Sequence, residues 1–99
     1  MNTLILEAGE SGEGAALLAR HLGHDVFVSD KGKISEKYKA ELNDKAIPNE
    51  EGQHSMEKIL QADQVIKSPG IPDHIPLIKT LESKGIPVIS EIEFAGRHT

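Results

Sequence analysis

Short, nearly continuous apolar blocks alternate along this chain with segments of helical spacing. T-L-I-L (3–6) predicts a buried strand, and D-V-F-V-S (25–29) a second one, as apolar as a strand covered on both faces has to be. Between them G-A-A-L-L-A-R-H-L (14–22) places Ala15, Leu18, Ala19 and Leu22 on one helical face. Gly23 follows as a C′ residue, and Arg20 and His21 suit the last turn. From 31 to 54 the pattern weakens. Ile34, Tyr38 and Leu42 allow a short amphipathic helix, and K-A-I-P-N (45–49) at best an edge strand, because Pro48 lacks a ladder donor. S-M-E-K-I-L-Q-A (55–62) predicts a helix and D-Q-V-I-K-S (63–68) a strand closed by Pro-Gly. D-H-I-P-L-I-K-T-L-E-S-K-G (73–85) predicts a helix with Asp73 as N-cap, Pro76 in the first turn and Gly85 as C′. I-P-V-I-S (86–90) is the last strand, and S-E-I-E (90–93) is a capping-box pattern opening another helix.

Strands alternating with helices predict an α/β, Rossmann-like, three-layer domain with a mostly parallel sheet of about five strands. Ligands of such sheets bind beyond the C-terminal strand ends, where strand order reverses. Three segments fall there: 7–12, Asp30-Lys31, and Ser68-Pro69-Gly70.

Composition narrows the function. At 99 residues, a single domain burying roughly 60–65% of its unfolded surface is expected. With 37% apolar residues and no Trp, the core must come from Ile, Leu, Val and Ala. A formal charge of −5 argues against duplex nucleic acid, where affinity comes from Lys and Arg on phosphates. The absence of cysteine excludes disulfides and thiolate metal sites. No membrane span and no signal peptide are evident, so a cytoplasmic, monomeric domain is the expectation. His21, His24, His54, His74 and His98 show no metal spacing, and no Ser–His–Asp set is suggested.

The first loop carries the sharpest signal. Against G-x-G-x-x-G it aligns Glu7, Gly9 and Gly12: the second glycine admits a pyrophosphate, the third allows close helix–strand packing, and the first is replaced by Glu. Ser11 is either an oxyanion donor beside free helix-end amides or simply the N-cap. Asp30, about 20 residues on, is either a ribose ligand or a strand-end turn residue. Ser68-Pro69-Gly70 is either a plain turn or a backbone donor across the crevice.

Taken together, A-G-E-S-G, V-F-V-S-D, A-D-Q-V-I-K-S-P-G-I-P and G-I-P-V-I-S-E-I-E-F resemble the N-terminal domain of the Mur ligases, in particular their D-glutamate-adding branch. The likeness spans nearly all 99 residues in order and spacing. It implies a domain that holds the UDP end of the precursor UDP-N-acetylmuramoyl-L-alanine for a peptidoglycan ligase of cell-wall biogenesis. In that family a central domain with G-T-N-G-K-[ST] binds ATP and magnesium, and a C-terminal domain helps bind the amino acid. By resemblance, Glu10 and Ser11 meet the UDP, Asp30 and Lys31 lie near the uracil, and Gly70 is a backbone donor. The candidate UDP-binding set is Gly9, Glu10, Ser11, Gly12, Asp30, Lys31, Ser68 and Gly70, with no catalytic or metal-ligating residue. No G-K-[ST] occurs, so the chain is expected to be the first domain without its ATPase and C-terminal partners, and inactive alone. Competing readings are an NAD(P)-binding domain of an oxidoreductase or sensor, and a scaffold that binds no nucleotide.

The family has glycine where this chain has Glu7. Three carboxylates in an anion-binding loop call for an account. Glu13 is expected in the first helical turn facing solvent, and Glu10 in the loop offering its backbone only. Glu7 is expected to crowd the turn and face the anion. At about 6–8 Å and an effective dielectric of about 20–40, that costs on the order of 1–3 kcal/mol, leaving UDP affinity near or above millimolar.

Overall fold

The computed structural model describes residues 1–72 and 74–97. Ten elements follow in order: β1 (Asn2–Leu6), α1 (Glu10–His21), β2 (Asp25–Asp30), α2 (Glu36–Asp44), β3 (Asn49–Glu51), α3 (Met56–Ile59), β4 (Gln64–Lys67), α4 (Pro76–Ser83), β5 (Val88–Ser90) and α5 (Glu91–Arg97). The five strands form one sheet in the order β3-β2-β1-β4-β5, and every pairing is parallel. The α/β expectation holds.

Alternation along β1 explains the layers. Ile5 faces a core built with Val28, Ile66, Ala15, Ala16, Ala19, Leu42 and Phe94. Leu4 and Leu6 face the other side, with Val65, Ile59, Ile78, Leu81 and Ile86. Both faces are covered, so the middles of the central strands (Leu4–Leu6, Val26–Val28, Val65 and Ile66) are apolar, with polar residues toward their ends. On α1 the buried face is alanine, which lets the helix lie close on the sheet.

Boundaries moved where apolar periodicity was uninformative. α1 begins at Glu10, four residues before the expected start, because Gly9 is extended (φ −74°, ψ −169°) and acts as N-cap. Ser11 is therefore inside the helix and is not its cap. β3 is Asn49–Glu51 instead of 45–49. Pro48 precedes the strand, and its carbonyl accepts from the Val28 amide at 3.0 Å. The strand is polar and is held from the side: Glu51 accepts from the Ile34 amide and from Lys39 Nζ, each at 2.9 Å. This hydrogen bond and charge pairing hold Lys39 above the ordinary lysine range and Glu51 below the carboxylate range. α3 is a single turn. Pro76 is at the start of α4, where a missing N–H costs little. Asp73, the expected cap, lies outside the described residues. The Ser90 hydroxyl accepts from the Glu93 amide at 3.1 Å, which is the cap the S-E-I-E pattern predicts. Glu93 itself turns to Arg97 at 2.7 Å.

Candidate functional site

Because β2, β1 and β4 are parallel neighbours, the loops that follow them emerge on one edge, and strand order reverses between β1 and β4. The first loop runs 7–9. Glu7 has φ +75°, a left-handed conformation that favours glycine. Its amide donates to the Ser29 carbonyl at 2.9 Å and extends the β1–β2 ladder. The first intrahelical bond of α1 is Glu13 N–H to the Gly9 carbonyl at 2.9 Å. The amides of Glu10, Ser11 and Gly12 therefore sit ahead of the helical ladder, at the positive end of a twelve-residue helix. Glu10 and Ser11 are exposed.

The two glycines differ in the space around them. A Cβ on Gly12 would lie 2.0 Å from the Glu7 carbonyl oxygen, so this position packs helix against turn. A Cβ on Gly9 would meet nothing within 4 Å, so the space on that side of Gly9 is open.

Two of the acidic residues here are buried. Glu13 is buried, not solvent-facing, and its Oε2 has no hydrogen-bond partner among the described residues. Asp30, the last residue of β2, is 9% exposed, and it accepts from the Ala8 amide at 2.9 Å and from the Gly32 amide at 2.8 Å. It fastens the first loop to the second. Glu7 completes the lacing from the other side, since its Oε2 accepts from the Lys31 amide at 3.0 Å. The Glu7 carboxylate is thus tied to the second loop.

Behind this lacing lies a network that the sequence reading missed. Ser29 is fully buried. Its Oγ lies 2.7 Å from Glu50 Oε2, 2.7 Å from His54 Nδ1 and 3.3 Å from the Gln53 carbonyl. His54 Nε2 lies 3.8 Å from Glu7 Oε2. Glu50 also accepts from the Ser55 amide at 2.8 Å and the Ser55 hydroxyl at 2.5 Å. Ser29 next to a histidine is no nucleophile here, because no substrate reaches a buried hydroxyl that is bonded to a carboxylate. The available signal was His54 two residues after Gly52, at the end of the weakly patterned stretch 31–54.

The third loop is a turn: Ile71 N–H donates to the Ser68 carbonyl at 3.0 Å, and Gly70 N–H to Ser68 Oγ at a long 3.3 Å. Pro69 and Gly70 are exposed, and Ser68 is half-buried. A ligand taking the Gly70 amide would replace only that weak internal bond. Of the predicted set, Gly9, Glu10, Ser11 and Lys31 line the open edge with Ser68 and Gly70, while Gly12 and Asp30 hold its shape. Beneath α1, Glu91 is buried, and among the described residues the Ser11 hydroxyl is near it but neither carboxyl oxygen has a partner in good hydrogen-bond geometry. Burial pushes its carboxyl up, partly offset by the Ser11 hydroxyl. Among the described residues no group of three or more acidic, histidine or cysteine side chains is placed to hold a metal. No helix among them is long and apolar enough to cross a membrane.

Comparison with known proteins shows the family and the fold. The sequence pattern of the MurD N-terminal domain matches residues 5–76. The UDP-N-acetylmuramoylalanine--D-glutamate ligase of Porphyromonas gingivalis is 60% identical over 96 residues, covering 97% of this chain and 21% of that protein. The ligase of the same name from Bacteroides fragilis is 57% identical over 96 residues, covering 97% and 22%. The chain thus spans about a fifth of the length of these relatives. Among solved structures, a murein peptide ligase from Psychrobacter arcticus superposes with a TM-score of 0.87 at 25% identity, covering 100% of this chain and 21% of that one. A pseudomurein peptide ligase type C from Methanothermus fervidus gives 0.85 at 21% identity, over 99% of this chain and 20% of that one, and shares the fold.

Proposed function

The chain belongs to the MurD N-terminal domain family, and from that premise we propose that it binds the UDP end of a UDP-N-acetylmuramoyl-L-alanine precursor for a ligase that adds D-glutamate. The observation that carries the reading is the open N-terminus of α1 at the point where strand order reverses. Three amides precede the first helical bond there, and a Cβ on Gly9 would meet nothing within 4 Å. Backbone amides at a helix N-terminus favour a pyrophosphate. Lys31 and the second loop lie to one side for the base, and the Ser68 turn lies across the crevice.

ATP and magnesium belong to the proposal only through the further domains of such a ligase. Phosphoryl transfer needs a positioned phosphate loop, a lysine and a metal, and this chain has no G-K-[ST]. Supplied with ATP, magnesium, precursor and D-glutamate, the chain alone is predicted to release no phosphate above a blank. The NAD(P) reading loses its main support, because both Asp30 oxygens already accept backbone amides inside a buried site.

The experiment is a calorimetric titration with UDP and with NADH, on the natural chain and on Gly9→Val. Gly9 has an ordinary negative φ, so valine fits the backbone while filling the open space on that side of Gly9. UDP binding that disappears in the variant, with little change in Tm, is the expected result. Undiminished UDP binding in the variant, or binding of NADH alone, contradicts the reading.

A further inference from the structure

Ser29 has one hydroxyl proton and three polar neighbours. Burial pushes the Glu50 carboxyl up, but hydrogen bonds from the Ser55 amide, the Ser55 hydroxyl and the Ser29 hydroxyl outweigh it and hold Glu50 below its ordinary range. An ionised carboxylate and a carbonyl only accept. The Ser29 proton therefore goes to Glu50, and the 2.7 Å contact with His54 is a hydrogen bond only if Nδ1–H donates to Ser29 Oγ. This fixes the tautomer. In the neutral ring Nε2 is then a bare lone pair, 3.8 Å from Glu7 Oε2. A second proton, added at Nε2, turns that approach into an ion pair.

We propose that His54 is a positioning residue for the nucleotide edge: oriented by Ser29 and Glu50, its protonated ring holds the Glu7 carboxylate on the Lys31 amide and cancels the charge that this loop would otherwise present to an anion. The inference rests on the reading that this edge takes UDP. The charged groups around the ring are Glu7 from the first loop, Glu50 from β3 and Lys58 from α3, which acts on Glu50. The arrangement also accounts for how a loop at an anion site tolerates a glutamate at a glycine position. The carboxylate has a backbone donor on one side and, once the ring is protonated, an imidazolium on the other.

Two measurements test this on the 99-residue chain. In the free, 15N-labelled protein, two-bond proton–nitrogen correlations read the tautomer directly. Nδ1–H in the neutral ring is expected, and Nε2–H overturns the proposal. His54→Gln is then compared with the natural chain, and again in the Glu7→Gly background, by exchange of the Lys31 amide and by UDP titration at mildly acidic pH. His54→Gln is expected to speed Lys31 exchange and to weaken UDP binding by about two- to fivefold, the scale of a partly exposed charge pair. With Glu7 absent, both effects are expected to vanish. Equal losses in both backgrounds, as from a merely structural role, overturn the proposal. So does unchanged Lys31 exchange. If the natural chain binds no UDP at all, the proposed function fails, and the tautomer and the Lys31 amide alone decide the positioning.

Discussion

Asp30 and Glu7 reach across the same gap between two loops, yet their loss should cost very different amounts. Asp30 is buried and satisfies two backbone amides. Hydrogen bonds to a charged group contribute roughly 1.5–3 kcal/mol each, so Asp30→Ala is predicted to destabilise by about 3 kcal/mol in a urea melt. A loss under about 0.5 kcal/mol, the usual scale of a surface substitution, would show that the two amides find other partners. Glu7 is partly exposed and sits at φ +75°. Glu7→Gly gives up one hydrogen bond but relieves a left-handed backbone, terms of about 1 kcal/mol each and opposite in sign. Its predicted net effect on stability is within about 1 kcal/mol. The sequence alone placed both residues at the right strand ends, because parallel order dictates which loops share an edge. It could not show that Asp30 faces inward, since a strand-end aspartate fits either a ligand or a turn. Nor could it pair His54 with Ser29, because their neighbourhood depends on where the short β3 falls.

Among the elements, the contact between the first turn and α1 has least room. A methyl group on Gly12 would overlap the Glu7 carbonyl at 2.0 Å, and backbone cannot step aside as a side chain does. Gly12→Ala is predicted to cost about 3 kcal/mol or more, at the upper end of overpacking. A melt unchanged from the natural chain would mean that α1 can slide on the sheet. The junction of α5 with α1 carries a pH dependence. Glu91 has its folded pKa raised by burial, from an ordinary value of 4.5. The folded state therefore holds a proton that the unfolded state has released. The contribution is fully present below 4.5 and is lost as pH rises through the folded value. Glu91→Gln keeps the neutral form at every pH. Its Tm advantage is expected at neutral and alkaline pH and should fade toward pH 4.5; an advantage independent of pH would show that Glu91 is not the titrating group. Element types were legible because apolar blocks and helical spacing alternate along the chain. The start of α1 was not, because Glu10, Ser11 and Gly12 carry no apolar period. Asn49–Glu51 is a strand through its pairing with β2 rather than through its own residues.

At the scale of the whole molecule, the sheet order brings three short loops to one edge, and the charge there is managed by pairing rather than by adding cations. The chain has 16 acidic residues against 11 basic ones; around the open helix end Glu7 and Asp30 are bonded to backbone amides and Glu13 is buried, while Glu10 is exposed. Long-range attraction of an anion is therefore weak, and affinity has to come from the helix-end amides at close range. UDP binding by this chain should accordingly depend little on salt, unlike a site built on exposed lysines. A steep fall in affinity between low and high ionic strength would point to cationic side chains instead. The most direct test of the central claim is an NMR titration of the 15N-labelled chain with UDP, with NADH and ATP run in parallel. Amide shifts concentrated at 7–12, 30–32 and 68–71 with UDP, and absent with NADH, are the predicted result. No shifts at millimolar UDP, or the same residues responding to NADH alone, would contradict it.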